Sequence, residues 1–213
     1  MTNEDGSFIA GAVLGGLFGY STAVNKIKGW DEFAKKYNER LNHLAYLKII
    51  IPIGFFDKIK NGREIYREGV SSYLFGLPNA SIPMVLRCLE IGLKYKHKEV
   101  GGNGKPKNLH EFINWSESYL GSKKELAHGF RILRNLIHEE KIVKEQDIPE
   151  CIRHISEILN ILFPFESVSL SNNCTFCGNP YKAIVEKERY WLGNIIQILC
   201  NKCQRVNNMQ LIP

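Results

Sequence analysis

Apolar positions recur with helical period along most of this chain, then give way to short β-rich runs near its C-terminal end. The first apolar stretch, Phe8 to Val24, carries no charge over its 17 residues, at the short end of the roughly 17–25 needed to cross a hydrocarbon core. Within it Gly11, Gly15 and Gly19 stand four apart, which places all three on one face of a helix. An interior glycine costs about 1 kcal/mol against alanine. Close helix-on-helix contact offsets that cost, so the stretch is expected to be a membrane helix that self-associates through Gly11, Gly15 and Gly19. The alternatives are a buried helix of a soluble oligomer and a signal peptide. Glu4 and Asp5 stand where a signal peptide carries positive charge, and Ser21-Thr22-Ala23 is its only small-residue cleavage site. Lys26 and Lys28 follow the run, which points the remainder of the chain to the cytoplasmic face of the cell membrane. A soluble interface helix would leave the whole protein in the cytoplasm.

Downstream, Trp30, Phe33, Tyr37, Leu41 and Leu44 continue a helical stripe over 25–46. A second apolar patch, Ile49 to Phe56, is broken by Pro52 and Gly54 and reads as a core or interfacial segment. Helices are predicted over 63–75, closed by the turn Gly76-Leu77-Pro78-Asn79, over 82–95 and over 109–120. Between the last two lies a glycine- and lysine-rich loop over 98–108. Ser122 and Glu125 form a capping box opening a helix that runs to about Ile142, and Asp147 starts a final helix ending near Pro164. Phe165 to Asn173, rich in serine and asparagine, reads as a linker, and strands are predicted over 182–185 and 194–199.

The hydrophobic fraction of 44% supports a real core. The formal charge of +6 is spread along the chain and suits nucleic acid or anionic lipid without selecting between them. Cysteine usage is more specific. Cys88 and Cys151 stand alone in helical patterns, whereas Cys174-x2-Cys177 and Cys200-x2-Cys203 have the spacing of a tetrahedral thiolate site. Two intervening residues let a tight turn present both sulfurs to one ion. The 22 residues between the pairs are expected to hold a hairpin that brings them together. Four cysteine ligands leave no open coordination position, so the expected cofactor is a structural Zn²⁺. Lys182, Lys187, Arg189, Lys202 and Arg205 lean this region basic, with Glu186 and Glu188 opposing them.

Arg131, Arg134 and His138 fall along one helical stripe with Asn135 beside them. A guanidinium can hold a phosphate bidentately while an imidazole moves a proton near neutral pH, although such residues are commonly surface or packing groups. The stretch Tyr73-Leu74-Phe75-Gly76-Leu77-Pro78-Asn79-Ala80-Ser81, then Arg87 and Glu90, then Arg131-x2-Arg134-Asn135-x2-His138, resembles the HEPN superfamily. It is most similar to the bacterial branch catalogued as a domain of unknown function.

The resemblance implies a four- or five-helix bundle that dimerises. It also implies a metal-independent ribonuclease site shared by two protomers, in which a ribose 2′-hydroxyl attacks the adjacent phosphate. Arg134 would then bind phosphate, His138 would act as general acid and base, and Asn135 would orient one of them. The family places four to six residues between arginine and histidine; Arg131 leaves six and Arg134 three. Either Arg131 is the motif arginine or the motif has decayed to a binding role. The implied pair Arg87 and Glu90 is expected to be buried and to support the bundle.

The chain is therefore expected to be mainly α. Residues 1–58 carry the membrane or oligomerisation helix and its amphipathic extension, 59–165 the HEPN-like bundle, and 166–213 a small β zinc ribbon. The implied setting is prokaryotic antiviral defence or stress response, CRISPR-associated systems included. The expected partners are the chain itself, the membrane, RNA and a protein of the same effector system. The competing functions are a membrane pore without nuclease activity, a metal-independent endoribonuclease, and a soluble adaptor that binds through the ribbon.

Overall fold

The computed structural model describes residues 30–102, 104, 106–121, 126, 129, 131–133, 135 and 144–211. The apolar run over 8–24, with Gly11, Gly15 and Gly19, lies outside the described residues, as does the Ser122–Glu125 capping box. The protein is mostly helical, with a small C-terminal region of two β-hairpins. No helix among the described residues is long and apolar enough to cross a membrane.

Helix α1, Trp30–Tyr46, opens with Asp31 and Glu32 in its first turn, where carboxylates oppose the positive end of the helix dipole. Its stripe buries Leu41 and Leu44. The patch after it is core: Ile49, Ile51, Ile53, Phe55 and Phe56 are all buried, the last three on the short helix α2, Ile53–Lys58. Helix α3, Gly62–Leu74, buries Tyr66, Val70, Tyr73 and Leu74 on one face.

Gly76, at φ +77°, ends α3. The Leu77 N–H donates to Ser72 O at 2.8 Å and the Gly76 N–H to Tyr73 O at 2.9 Å, the paired bonds of a Schellman closure. Pro78 then starts helix α4, Pro78–Glu99, at a first-turn position that needs no N–H donor. Sequence periodicity starts this helix only at Ile82, because the proline side of the turn carries no apolar period.

Helix α4 packs against α3 and against the last helix, α6, Ile148–Leu162. Between them come α5, Leu109–Leu120, and further helical residues at Leu126, Gly129, Arg131–Leu133 and Asn135. Asn108 caps α5 by accepting from the Glu111 N–H at 3.0 Å, and the Glu111 carboxylate accepts in return from the Lys107 N–H at 2.8 Å. The pair Arg87–Glu90 is not buried. Arg87 Nη1 meets Glu90 Oε2 at 3.0 Å with the arginine side chain 55% exposed, and Glu90 also meets Lys94 one turn on. A surface pair of this kind contributes ~1 kcal/mol or less, so packing and not this pair holds the bundle.

The predicted linker is a strand. Ser167–Asn173 forms β1, paired antiparallel with β2, Pro180–Glu186, while β3, Ile195–Leu199, pairs with β4, Val206–Gln210. In β1 the serines face solvent, and Val168 and Leu170 alternate with them against the core. The polar composition hides that period of two. Val185, Leu192, Ile196 and Leu211 from the hairpin region join the same hydrophobic cluster as the helices. Backbone bonds fasten the two parts: Ile51 N–H donates to Tyr190 O at 3.1 Å and Leu192 N–H to Ile49 O at 2.9 Å.

Burial inside the bundle sets an alkaline limit on stability. Tyr66, fully buried and within 2.7 Å of Ser156 Oγ, is pushed well above the ordinary phenol range by desolvation. Desolvation likewise pushes the thiols of Cys88 and Cys151 up to about 12. The folded chain keeps these protons while the unfolded chain releases them, so stability falls as pH rises above about 8.5, where free thiols ionise. Each group removes about 1.4 kcal/mol per pH unit over the interval in which only the unfolded form is ionised. Urea midpoints measured between pH 8 and 11 are expected to fall steadily, and Cys88→Ala/Cys151→Ala to flatten that slope.

Candidate metal centre

Each cysteine pair sits at the tip of its own hairpin, and β2 and β3 do not pair with one another. The expected single hairpin between the pairs is thus replaced by two hairpins laid knuckle to knuckle. The two tips have the same backbone wiring. Cys174 N–H donates to Asn179 O at 2.9 Å and Gly178 N–H to Cys174 O at 2.8 Å. In the second tip, Cys200 N–H donates to Arg205 O at 2.9 Å and Gln204 N–H to Cys200 O at 2.9 Å. Both turns need one left-handed residue: Gly178 takes φ +70° without a side chain, and Gln204 takes φ +58° while its Nε2 donates to Asn201 O at 3.0 Å.

The four sulfurs all lie within 4.8 Å of one another. Cys174 Sγ is 3.6 Å from Cys203 Sγ, and Cys177 Sγ is 3.7 Å from Cys200 Sγ. A disulfide would bring the pair to ~2.05 Å. Four thiolates at ~2.3 Å from a central ion in a tetrahedron stand ~3.8 Å apart. The observed spacing fits the second arrangement, so Cys174, Cys177, Cys200 and Cys203 form a cluster able to hold a metal ion. Cys174 and Cys200 are buried, Cys203 is half-buried and Cys177 is exposed.

The knuckle backbone prepares two of these groups as anions. Burial opposes ionisation of Cys174, but the N–H groups of Phe176 and Cys177 and the Asn207 amide outweigh it and bring the thiol down to about 6. The Cys203 and Lys202 N–H groups lower Cys200 in the same way. Cys203 is pushed up to about 11: the Arg205 backbone favours its thiolate, but burial and the three neighbouring sulfurs oppose it more strongly. Such crowding is what a divalent ion relieves. Around the cluster, 167–185 and 189–211 contain no Asp or Glu, while Lys182, Lys202 and Arg205 supply positive charge. Arg205 lies over the Phe176 ring at 5.1 Å.

Asn207 belongs to this centre, and sequence reasoning missed it. It is 2% exposed on β4 and contacts the first knuckle across the hairpin pair. Its only trace in the sequence is position: it follows Cys200 by seven residues, as Tyr181 follows Cys174.

The Arg–His stripe is described in part. Arg131 and Asn135 are helical and exposed, one turn apart on one face, and Arg134 and His138 lie outside the described residues. A cleft of about 300 Å³ opens elsewhere, between α6 and the segment 48–50, with Lys48, Arg153, Glu157 and Asn160 among its walls. Arg153 is held by Glu150 at 2.7 Å and Glu157 at 2.6 Å, and Asn160 Nδ2 donates to Ile50 O at 2.9 Å. The two carboxylate bonds lie within α6, and the Asn160 bond ties that helix to the segment 48–50. No family model, curated protein or solved structure matches this chain.

Proposed function

We propose that the protein is a zinc-stapled, HEPN-like effector that binds RNA through its Arg131–Asn135 helix face and works as a membrane-associated oligomer. The observation that carries the zinc reading is the four-sulfur cluster, whose spacing matches tetrahedral coordination. Cys174, Cys177, Cys200 and Cys203 would hold one Zn²⁺ per chain. Bound there, the ion supplies folding energy and charge neutralisation and no reactive water, because every coordination position is a protein sulfur.

The effector reading rests on the motif phrases and on two features of the molecule. Arg131 and Asn135 are exposed on one helix face, where a phosphate can reach them. The apolar run over 8–24 with its glycine stripe supports self-association at the cytoplasmic face of a membrane. In this reading Arg131 holds phosphate, His138 moves the proton and Asn135 orients, in a site completed by a second protomer. Prokaryotic antiviral defence is the setting that suits such an assembly.

The Arg131→Ala/Arg134→Ala/His138→Ala variant is expected to abolish the cellular phenotype while the helical circular dichroism stays unchanged. Cleavage, where present, survives EDTA added to the folded protein and leaves cyclic phosphate ends, as 2′-hydroxyl attack requires. Intact RNA with a collapsed membrane potential would favour the pore. A wild-type phenotype for the triple variant would defeat the effector reading in favour of a soluble adaptor.

A further inference from the structure

The two cysteine knuckles share a backbone plan but differ in what backs them. At the position seven residues after the first cysteine of each pair, the first hairpin has Tyr181 and the second Asn207, both buried. Only Asn207 is wired to both tips. Its Oδ1 accepts from the Thr175 N–H at 2.9 Å and from the Thr175 hydroxyl at 3.1 Å. Because a backbone N–H can only donate, the carboxamide orientation is forced. Its Nδ2 then points to Cys174 Sγ at 3.5 Å and to Arg205 O at 3.3 Å, the carbonyl that also closes the second knuckle.

We propose that Asn207 is the positioning residue of the metal centre, locking the first knuckle to the second hairpin and donating an N–H to the Cys174 thiolate. This rests on the reading of the four cysteines as a metal site. Asn207 is 2% exposed, so solvent competes little for its carboxamide, although Thr175 on the knuckle is exposed. The carboxamide holds both turns in the geometry the ion requires. Partners of this kind orient ligands in metal sites, and losing one costs roughly 10–100-fold in metal affinity.

The test uses the full chain, reduced and stripped of metal, then titrated with Co²⁺, which reports thiolate coordination through its charge-transfer and ligand-field absorption. Asn207→Asp keeps the acceptor for Thr175 but loses the N–H to sulfur and sets a carboxylate beside the thiolate. Asn207→Leu loses both. Helical circular dichroism and α3 amide protection verify that the helical body of each variant is folded, and β3 and β4 amide protection in the Co²⁺-loaded chain verifies the hairpins.

Asn207→Asp is expected to bind Co²⁺ at least about tenfold more weakly, with its charge-transfer band moved to lower energy as Cys174 becomes a stronger donor. Asn207→Leu should bind more weakly still; failure of that variant to fold leaves the aspartate result decisive. Wild-type affinity and an unmoved band in Asn207→Asp would overturn the inference while leaving the metal site standing. A wild-type chain that takes up no Co²⁺ would instead overturn the metal reading, and the role of Asn207 with it.

Discussion

Cys200→Ser protein is expected to purify without metal and with its hairpins unfolded, while α3, α4 and α6 remain helical. Cys200 is fully buried, 3.7 Å from Cys177 and at the turn that Arg205 closes. Serine leaves three thiolates and a hydroxyl that stays protonated at neutral pH, a poor fourth ligand. Structural zinc supplies on the order of 10–16 kcal/mol in small modules of this kind, so losing the ion removes more energy than the hairpins hold by themselves. Each hairpin is two strands, a unit that is marginal alone in water.

The damage should spread inward to a measurable degree. Leu192, Ile196 and Leu211 pack into the shared core, and Leu192 and Tyr190 bond the backbone of Ile49 and Ile51. Hydrogen exchange is the suitable readout: amides of β3 and β4 should lose protection, those of α3 should keep it, and the melting temperature of the helical body should drop. Unchanged metal content and unchanged β3 protection in Cys200→Ser would contradict this.

Gly54→Ala is expected to destabilise the fold by about 3 kcal/mol or more, the upper end for added volume in a packed core. A Cβ at Gly54 would lie 2.2 Å from the carbonyl oxygen of Phe163 and 2.9 Å from its carbonyl carbon. Those are backbone atoms at the end of α6, and the Phe163 N–H is already bonded to Leu159 O at 2.8 Å. No rotamer change relieves the clash, so α2 and α6 must separate. Phe55, which packs on Phe163 with ring centroids 5.7 Å apart, would lose its contact as well. A urea midpoint indistinguishable from wild type would show that α2 does not approach α6 so closely.

What the sequence made legible follows from how local each signal is. The α5 boundaries, the turn at Gly76 and the ends of α3 and α6 rest on capping residues and apolar spacing within a few positions, and they match the expected spans to within a residue or two. The cysteine pairs are local in the same sense, and their spacing already specified two knuckles that meet. Strand β1 was hidden because only Val168 and Leu170 mark its inner face among serines and asparagines. Strand β4 was hidden similarly, its buried position being Asn207, a polar residue that no apolar pattern picks out. The attachment of the hairpins to the helices depends on 49–51 meeting 190–192, far apart in the chain and joined by backbone bonds that carry no side-chain code. Arg87 and Glu90 were expected inside because of motif position, yet their spacing on α4 places them at solvent. Arg131 and Asn135 are helical and exposed, and the spacing of four that places them on one face is itself a local signal.

On the proposed reading, four sulfurs from two hairpins hold one ion and thereby fasten the C-terminal region to the helical body. Elemental analysis of the full-length chain, purified under reducing conditions and without added chelator, addresses it most directly, combined with titration of accessible thiols. One zinc per chain is expected, with Cys174, Cys177, Cys200 and Cys203 unreactive until a chelator removes it. A metal-free protein with folded hairpins and all four of those thiols freely reactive would contradict it.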